Sequence, residues 1–167
     1  MLARLDARDR ALFSRYATGP SRSRLARLAW TLITHGGGVV ASIAAAVVPI
    51  AIGGAPRHAG TQALVALVAS HLIVQLVKRT VGRPRPSRHG ARQWADEPDR
   101  FSFPSGHSAA AMSVSVVYAL AYGHGALLLL PLATLVGMSR VRLGVHYPGD
   151  VVAGQLIAIV TALVVGL

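Results

Sequence analysis

Cysteine is absent from the 167-residue chain, which excludes disulfides and thiolate-ligated metal sites. Charge is also scarce, because 14% of the residues are charged and 53% are apolar, whereas a soluble domain carries about a quarter charged residues. Acidic residues number six against 17 basic ones, so the formal net charge is +11. Long charge-poor runs of Ala, Val, Leu and Ile indicate a protein that crosses a membrane several times.

Lysine is nearly absent, since Lys78 is the one lysine among the 17 basic residues and the others are arginine. These arginines flank hydrophobic runs and do not alternate with exposed aromatic residues, which disfavours nucleic acid as a partner. Contact with anionic lipid headgroups explains much of the charge. The abundance of Ala, Gly, Val and Arg is typical of a GC-rich bacterial genome.

The first 17 residues predict an amphipathic helix, although Asp9 falls inside its apolar stripe. Arg and Asp also interrupt this stretch, which disfavours a cleavable signal peptide. We expect residues 1–24 to form a segment that lies in the membrane interface, ended by a break at residues 18–21. The apolar stripe consists of Leu2, Leu5, Leu12, Phe13 and Tyr16.

Residues 25–167 predict an all-α integral membrane domain, a bundle of about five transmembrane helices with one long polar loop at 78–103. The glycine run at 36–38 predicts a kink or a close helix contact in the first span, and Pro131 predicts a kink in the fourth. The spans are expected at about residues 25–52, 61–77, 106–122, 126–139 and 151–167.

Three polar segments fall at span ends on one face of this bundle. The first carries Lys78 and Arg85, the second Ser105, Gly106 and His107, and the third Arg140, His146 and Asp150. The second segment opens a helix, whose free N–H groups and dipole favour an anion, most often a phosphate. The cations of the first and third segments could neutralise the oxygens of a phosphoryl group.

His146 and Asp150 are four residues apart, and a helix that begins near Pro148 would place the carboxylate beside the imidazole. A carboxylate hydrogen-bonded to one nitrogen of an imidazole fixes the tautomer and makes the other nitrogen a better nucleophile. Taken singly, the arginines could be headgroup anchors and Asp150 a helix cap, so the interpretation rests on their joint occurrence. His89 and His124 have no such partners and are expected at the surface.

The three segments, taken together, resemble the motifs of the type-2 phosphatidic acid phosphatase family. Residues 78–86, 104–107 and 139–150 match them in order and spacing. The resemblance implies that His146 is the nucleophile, that Asp150 orients it, and that His107 protonates the leaving oxygen and then activates water. It also implies phosphate binding without a metal or other cofactor, by Lys78, Arg85, Ser105, Gly106 and Arg140. Vanadium haloperoxidases share the motifs but are larger and soluble.

The resemblance implies a bacterial lipid phosphate phosphatase in the plasma membrane. Its substrate would be phosphatidic acid, phosphatidylglycerophosphate, a polyprenyl diphosphate or a polyprenyl-phosphoryl sugar phosphate. The alternative of another class is a non-catalytic lipid-phosphate binding or transport protein, which would not need the His146–Asp150 pair. Of the basic residues only Arg57 falls on the opposite face, which favours a cytoplasmic active site. Many bacterial relatives act on the outer face instead.

Overall fold

A computed structural model describes residues 2–17, 23–97 and 99–166. The named elements of secondary structure within these residues are all helices. One isolated bridge pairs Pro84 with Phe101 in the polar loop. The break predicted at residues 18–21 lies outside the described residues. The helices are α1 (Leu2–Tyr16), α2 (Arg24–His35), α3 (Val39–Ile52), α4 (Ala55–Val81), α5 (Gly106–Tyr122), α6 (Leu129–Arg142) and α7 (Pro148–Gly166), with 3₁₀ turns at Pro86–His89 and Gly123–Ala126.

Helix α5 is the centre of the bundle and contacts α3, α4, α6 and α7. Its buried side chains are small or medium-sized, among them Ala109, Ser113 and Val117, so the neighbouring helices approach it closely. Large apolar side chains such as Leu76 and Val164 face outward instead. A bundle with a small-residue interior and an apolar exterior suits a lipid solvent.

Helices α4 and α7, with 27 and 19 residues, are long and apolar enough to cross a membrane. Helices α2 and α3 meet the same criterion as a pair and are bent by 44° at the break between them. This break coincides with the glycine run at 36–38, so the kink predicted in the first span is confirmed. The chain is therefore an integral membrane protein.

The kink predicted at Pro131 is wrong. Helix α6 begins at Leu129, which places Pro131 in its first turn. A proline there removes no intrahelical hydrogen bond, because the first N–H groups of a helix have no partner within it. The residues before it form the 3₁₀ turn Gly123–Ala126 rather than the start of the span.

Candidate active site

The sequence-predicted site residues meet at one end of the bundle. Lys78 lies in the last turn of α4 and Arg140 in the last turn of α6, while His107 lies in the first turn of α5. His146 precedes α7 and Asp150 lies in its first turn. His89 and His124 are exposed, as predicted.

His146 is buried between a carboxylate and a guanidinium. Its Nδ1 lies 3.5 Å from Oδ2 of Asp150, and its Nε2 lies 3.2 Å from Nη1 of Arg85. Burial lowers the pKa of His146 to about 4, with Asp150 opposing this shift and the charges of Arg85 and Arg140 adding to it. The ring is therefore neutral at pH 7. Because a guanidinium only donates, Nε2 carries the lone pair and Nδ1 the proton, which faces Asp150.

The turn from Tyr147 to Asp150 fixes the carboxylate at the start of α7. Pro148 is the first helical residue, a position that suits its missing N–H. Asp150 is the third, and its Oδ2 accepts the Tyr147 N–H at 2.8 Å, as the acid of a capping box does. The backbone oxygen of Asp150 also accepts the N–H of Ser105 at 2.9 Å, which ties the second segment to the third.

Lys78 and Arg85 are both paired with Asp99, a residue to which the sequence analysis gave no role. Nζ of Lys78 donates to both carboxylate oxygens of Asp99, at 3.1 and 2.9 Å. Nη2 of Arg85 donates to Oδ1 at 3.1 Å, and Nε donates to the Asp99 backbone oxygen at 2.7 Å. Partial burial would raise the pKa of Asp99, but the hydrogen bonds and charges of Lys78 and Arg85 outweigh it and lower that pKa.

Arg140 is the third cation of the site and is 1% exposed. Its Nη1 donates to Oγ1 of Thr34 at 2.9 Å, and its Nη2 donates to the backbone oxygen of Asp96 at 3.4 Å. Thr34 is in the last turn of α2, so the bent α2–α3 pair reaches the site through this contact. Thr34 was not among the predicted site residues, because no local sequence pattern marks it.

The second segment provides the free N-terminus of α5. Pro104 follows a cis peptide bond, and Ser105 accepts a 2.8 Å hydrogen bond from the Ser108 hydroxyl. At Gly106, no described heavy atom lies within 4 Å of the position that a Cβ would take. His107 is close enough to Arg85 and Arg140 for their positive charges to act on its ring. This end of the helix thus presents backbone donors beside the cations.

Gly154 of α7 packs closely against the backbone of the second segment. A Cβ on Gly154 would overlap the backbone oxygen of Ser105. We expect Gly154→Ala to displace this segment and to lower the free energy of unfolding by about 1–3 kcal/mol, as overpacking does. Thermal unfolding in detergent measures the effect. Gly125→Ala is the control, because its Cβ would have no described atom within 4 Å, and an equal loss in both variants would contradict the prediction.

Comparison with known proteins gives a consistent result. The model of the PAP2 superfamily matches residues 59–166. The lipid A 1-phosphatase of Rhizobium etli is 35% identical over 101 residues, which are 57% of this chain and 44% of that protein. The decaprenylphosphoryl-5-phosphoribose phosphatase of Mycobacterium tuberculosis is 37% identical over 100 residues, 58% and 51% of the two chains. The chain spans about half the length of these curated relatives.

Two crystal structures share the fold over most of both chains. Aquifex aeolicus LpxE superposes with a TM-score of 0.75 and 25% identity, over 93% of this chain and 92% of that one. A transmembrane PAP2-type phosphatidylglycerolphosphate phosphatase from Bacillus subtilis superposes with a TM-score of 0.78 and 24% identity, over 96% and 84%. The second likeness concerns the fold alone.

Proposed function

Because the chain belongs to the PAP2 superfamily, we propose that it is a membrane-embedded phosphatase that hydrolyses the phosphate monoester or diphosphate of a lipid. The lipid tail would remain in the bilayer while the headgroup phosphate enters the site at the end of α4, α5 and α6. The single observation that carries the proposal is the placement of the buried His146, with Nε2 3.2 Å from Nη1 of Arg85 and Nδ1 3.5 Å from Oδ2 of Asp150.

The reaction would proceed in two steps. Nε2 of His146 attacks phosphorus in line and the bond from phosphorus to the lipid oxygen breaks, which leaves a phosphohistidine. His107 gives a proton to the leaving oxygen and later takes one from a water molecule. The resulting hydroxide attacks phosphorus as the bond from phosphorus to Nε2 breaks, which releases phosphate and restores the neutral His146. The proton on Nδ1 stays between His146 and Asp150 throughout, so the carboxylate stabilises the positive ring that would form as Nε2 bonds to phosphorus.

The phosphoryl oxygens would be held by charges and backbone donors on three sides. Lys78 and Arg85 approach from the first segment and Arg140 from the third, while the N-terminus of α5 supplies Ser105 and Gly106. All three cations are buried, at 4%, 1% and 1% exposure, so their interaction with a dianion is little screened by solvent. Such preorganised positive charge stabilises the transition state of phosphoryl transfer without a covalent role.

The test of the activity is phosphate release by the purified protein from a panel of lipid phosphates assayed side by side. We favour a polyprenyl-phosphoryl sugar phosphate, because a mycobacterial relative is named for such a substrate. Phosphatidic acid, phosphatidylglycerophosphate and a polyprenyl diphosphate complete the panel. Release that resists EDTA and is inhibited by vanadate supports the phosphatase, whereas binding of these lipids without release would support the alternative, a lipid-phosphate binder or transporter.

The placement of the protein in the membrane is part of the same proposal. We propose five spans, formed by the α2–α3 pair and helices α4 to α7, in the plasma membrane of a bacterium. Helix α1 would lie in the interface beside anionic headgroups. The excess of arginine on the active-site face favours a cytoplasmic site.

The pH dependence of turnover reports the state of the nucleophile. His146 must be neutral to attack, and burial lowers its pKa from the ordinary 6.5 to about 4. We therefore expect the acid limb of kcat/KM to lie near pH 4, with the rate falling as pH drops through that value. The titration of the substrate phosphate, with a pKa of about 6, is measured separately and divided out. An enzyme limb that stays near 6.5 would contradict a buried neutral nucleophile.

A further inference from the structure

The N-terminal helix is docked against the turn that carries the catalytic pair. Phe13 of α1 is 9% exposed, and its ring packs edge-on against Tyr147, with centroids 5.3 Å apart. Tyr147 directly follows His146, and burial raises its pKa. Phe13, one member of the apolar stripe of α1, therefore packs against protein.

Asp9, the polar residue within that stripe, makes a hydrogen bond from α1 to the turn at Tyr147–Asp150. Its Oδ1 accepts the backbone N–H of Gly149 at 2.7 Å, and its Oδ2 accepts a 2.7 Å hydrogen bond from Nη1 of Arg83. The approach is close, since a Cβ on Gly149 would lie 2.8 Å from Oδ2 of Asp9. A carboxylate at the first turn of α7 also suits the dipole of that helix.

Arg83 connects Asp9 to the catalytic carboxylate. The same Nη1 that reaches Asp9 donates to Oδ1 of Asp150 at 2.7 Å, while Nη2 donates to Oδ1 of Asp6 at 2.7 Å. The guanidinium also stacks on Tyr147, 4.1 Å from the ring centroid. The guanidinium of Arg83 thus donates hydrogen bonds to three carboxylates and stacks on one aromatic ring. Among the side chains, only arginine has enough planar donors for this arrangement.

From these contacts we infer that Arg83 and Asp9 are positioning residues of the reaction, acting through Asp150. The two oxygens of Asp150 are divided between Arg83 on one side and the Tyr147 N–H and His146 on the other. With Arg83 in place, Asp150 can turn neither oxygen away from its partner, so the imidazole keeps its tautomer and direction. This inference rests on the proposed function of His146. It gives α1 a role in positioning Asp150, through Asp9 and Arg83.

Two variants test the arrangement, Arg83→Gln and Asp9→Asn, compared per mole of folded protein. We expect Arg83→Gln to lower kcat by about 10- to 100-fold, the range for partners that orient a reacting group through another residue, and Asp9→Asn to lower it less. KM and competitive inhibition by inorganic phosphate should stay within about twofold, because neither residue faces the phosphoryl group. Arg83→Lys keeps the charge without the fork and should recover only part of the rate.

A third background separates positioning from general stability. In Asp150→Asn, Arg83→Gln should cause no further loss of kcat, because its effect passes through the carboxylate already removed. Arg8→Gln is the matched control on α1, since Arg8 is exposed on that helix, and it should leave kcat unchanged.

The inference is overturned if folded Arg83→Gln and Asp9→Asn turn over at the normal rate. It is equally overturned if phosphate inhibition weakens in parallel with kcat, or if the loss persists in Asp150→Asn. His146→Ala distinguishes this failure from that of the proposed function. If His146→Ala remains active, the proposed function is wrong, whereas an inactive His146→Ala beside a fully active Arg83→Gln refutes only the positioning role.

Discussion

His146→Ala is expected to abolish phosphate release from the lipid substrate, with a fall in kcat of about 10⁴-fold or more, the order found when a catalytic nucleophile is removed. The variant lacks the Nε2 atom that would attack phosphorus, which lies beside Arg85 in the unaltered protein. The measurement is release of inorganic phosphate from the best lipid of the panel. Binding of that lipid should be retained, because the three cations are still present.

The control for this experiment is His124→Ala, a histidine in an exposed 3₁₀ turn on the opposite side of the bundle from α5's N-terminus. It should retain full turnover. If His146→Ala remained active while correctly folded, the nucleophile would be wrongly assigned. Trapping a phosphorylated histidine during turnover in the unaltered protein, and losing it in His146→Ala, would identify the intermediate directly.

Arg85→Ala is expected to have the second largest effect. Arg85 is 1% exposed and donates four hydrogen bonds, two to Asp99 and one each to the Val145 backbone oxygen and His146. Its removal takes away a buried charge that would face the phosphoryl group, which costs about 10²–10³-fold in kcat by analogy with one oxyanion donor. It also leaves several buried acceptors without a donor, so the unfolding temperature should fall.

Arg85→Lys tests geometry apart from charge. A lysine ammonium is a point charge, so it cannot reach the Asp99 backbone oxygen, Val145 and His146 at once, and we expect at most a partial recovery of kcat. Arg79→Ala is the matched control, because Arg79 is exposed in the last turn of α4 beside Lys78. An Arg85→Lys variant with full activity would show that charge alone suffices at this position.

The helices and the location of the site were predictable because they follow from local patterns. Apolar runs predicted α4 and α7, which are long and apolar enough to cross a membrane. Helix α4 extends beyond its predicted span at both ends, from Ala55 to Val81. The spacing of His146 and Asp150 predicted their proximity, since Pro148 begins a helix between them. Motifs that lie at helix ends are brought together by the bundle itself, so their joint position required no knowledge of the loop.

The partners of the site residues were not predictable, because they depend on long-range folding of irregular segments. Asp99 reaches Lys78 only through the path of the polar loop, whose sequence contains Asp96 and Glu97 as equally plausible partners. Arg83 lies between Lys78 and Arg85 and was indistinguishable in sequence from a headgroup anchor. The polar break that Asp9 makes in an apolar stripe was the one visible signal, and its meaning required the position of Gly149.

The pairing of Asp99 with Lys78 and Arg85 has a thermodynamic consequence. Both cations already have Asp99 as an anion. A phosphoryl group bound by them as proposed would compete with that carboxylate, and its binding free energy would be the difference between two sets of ion pairs. Isolated buried cations would be costly to fold and would hold released phosphate tightly. An internal carboxylate would lower both costs, because it pairs with the cations when no phosphoryl group is bound.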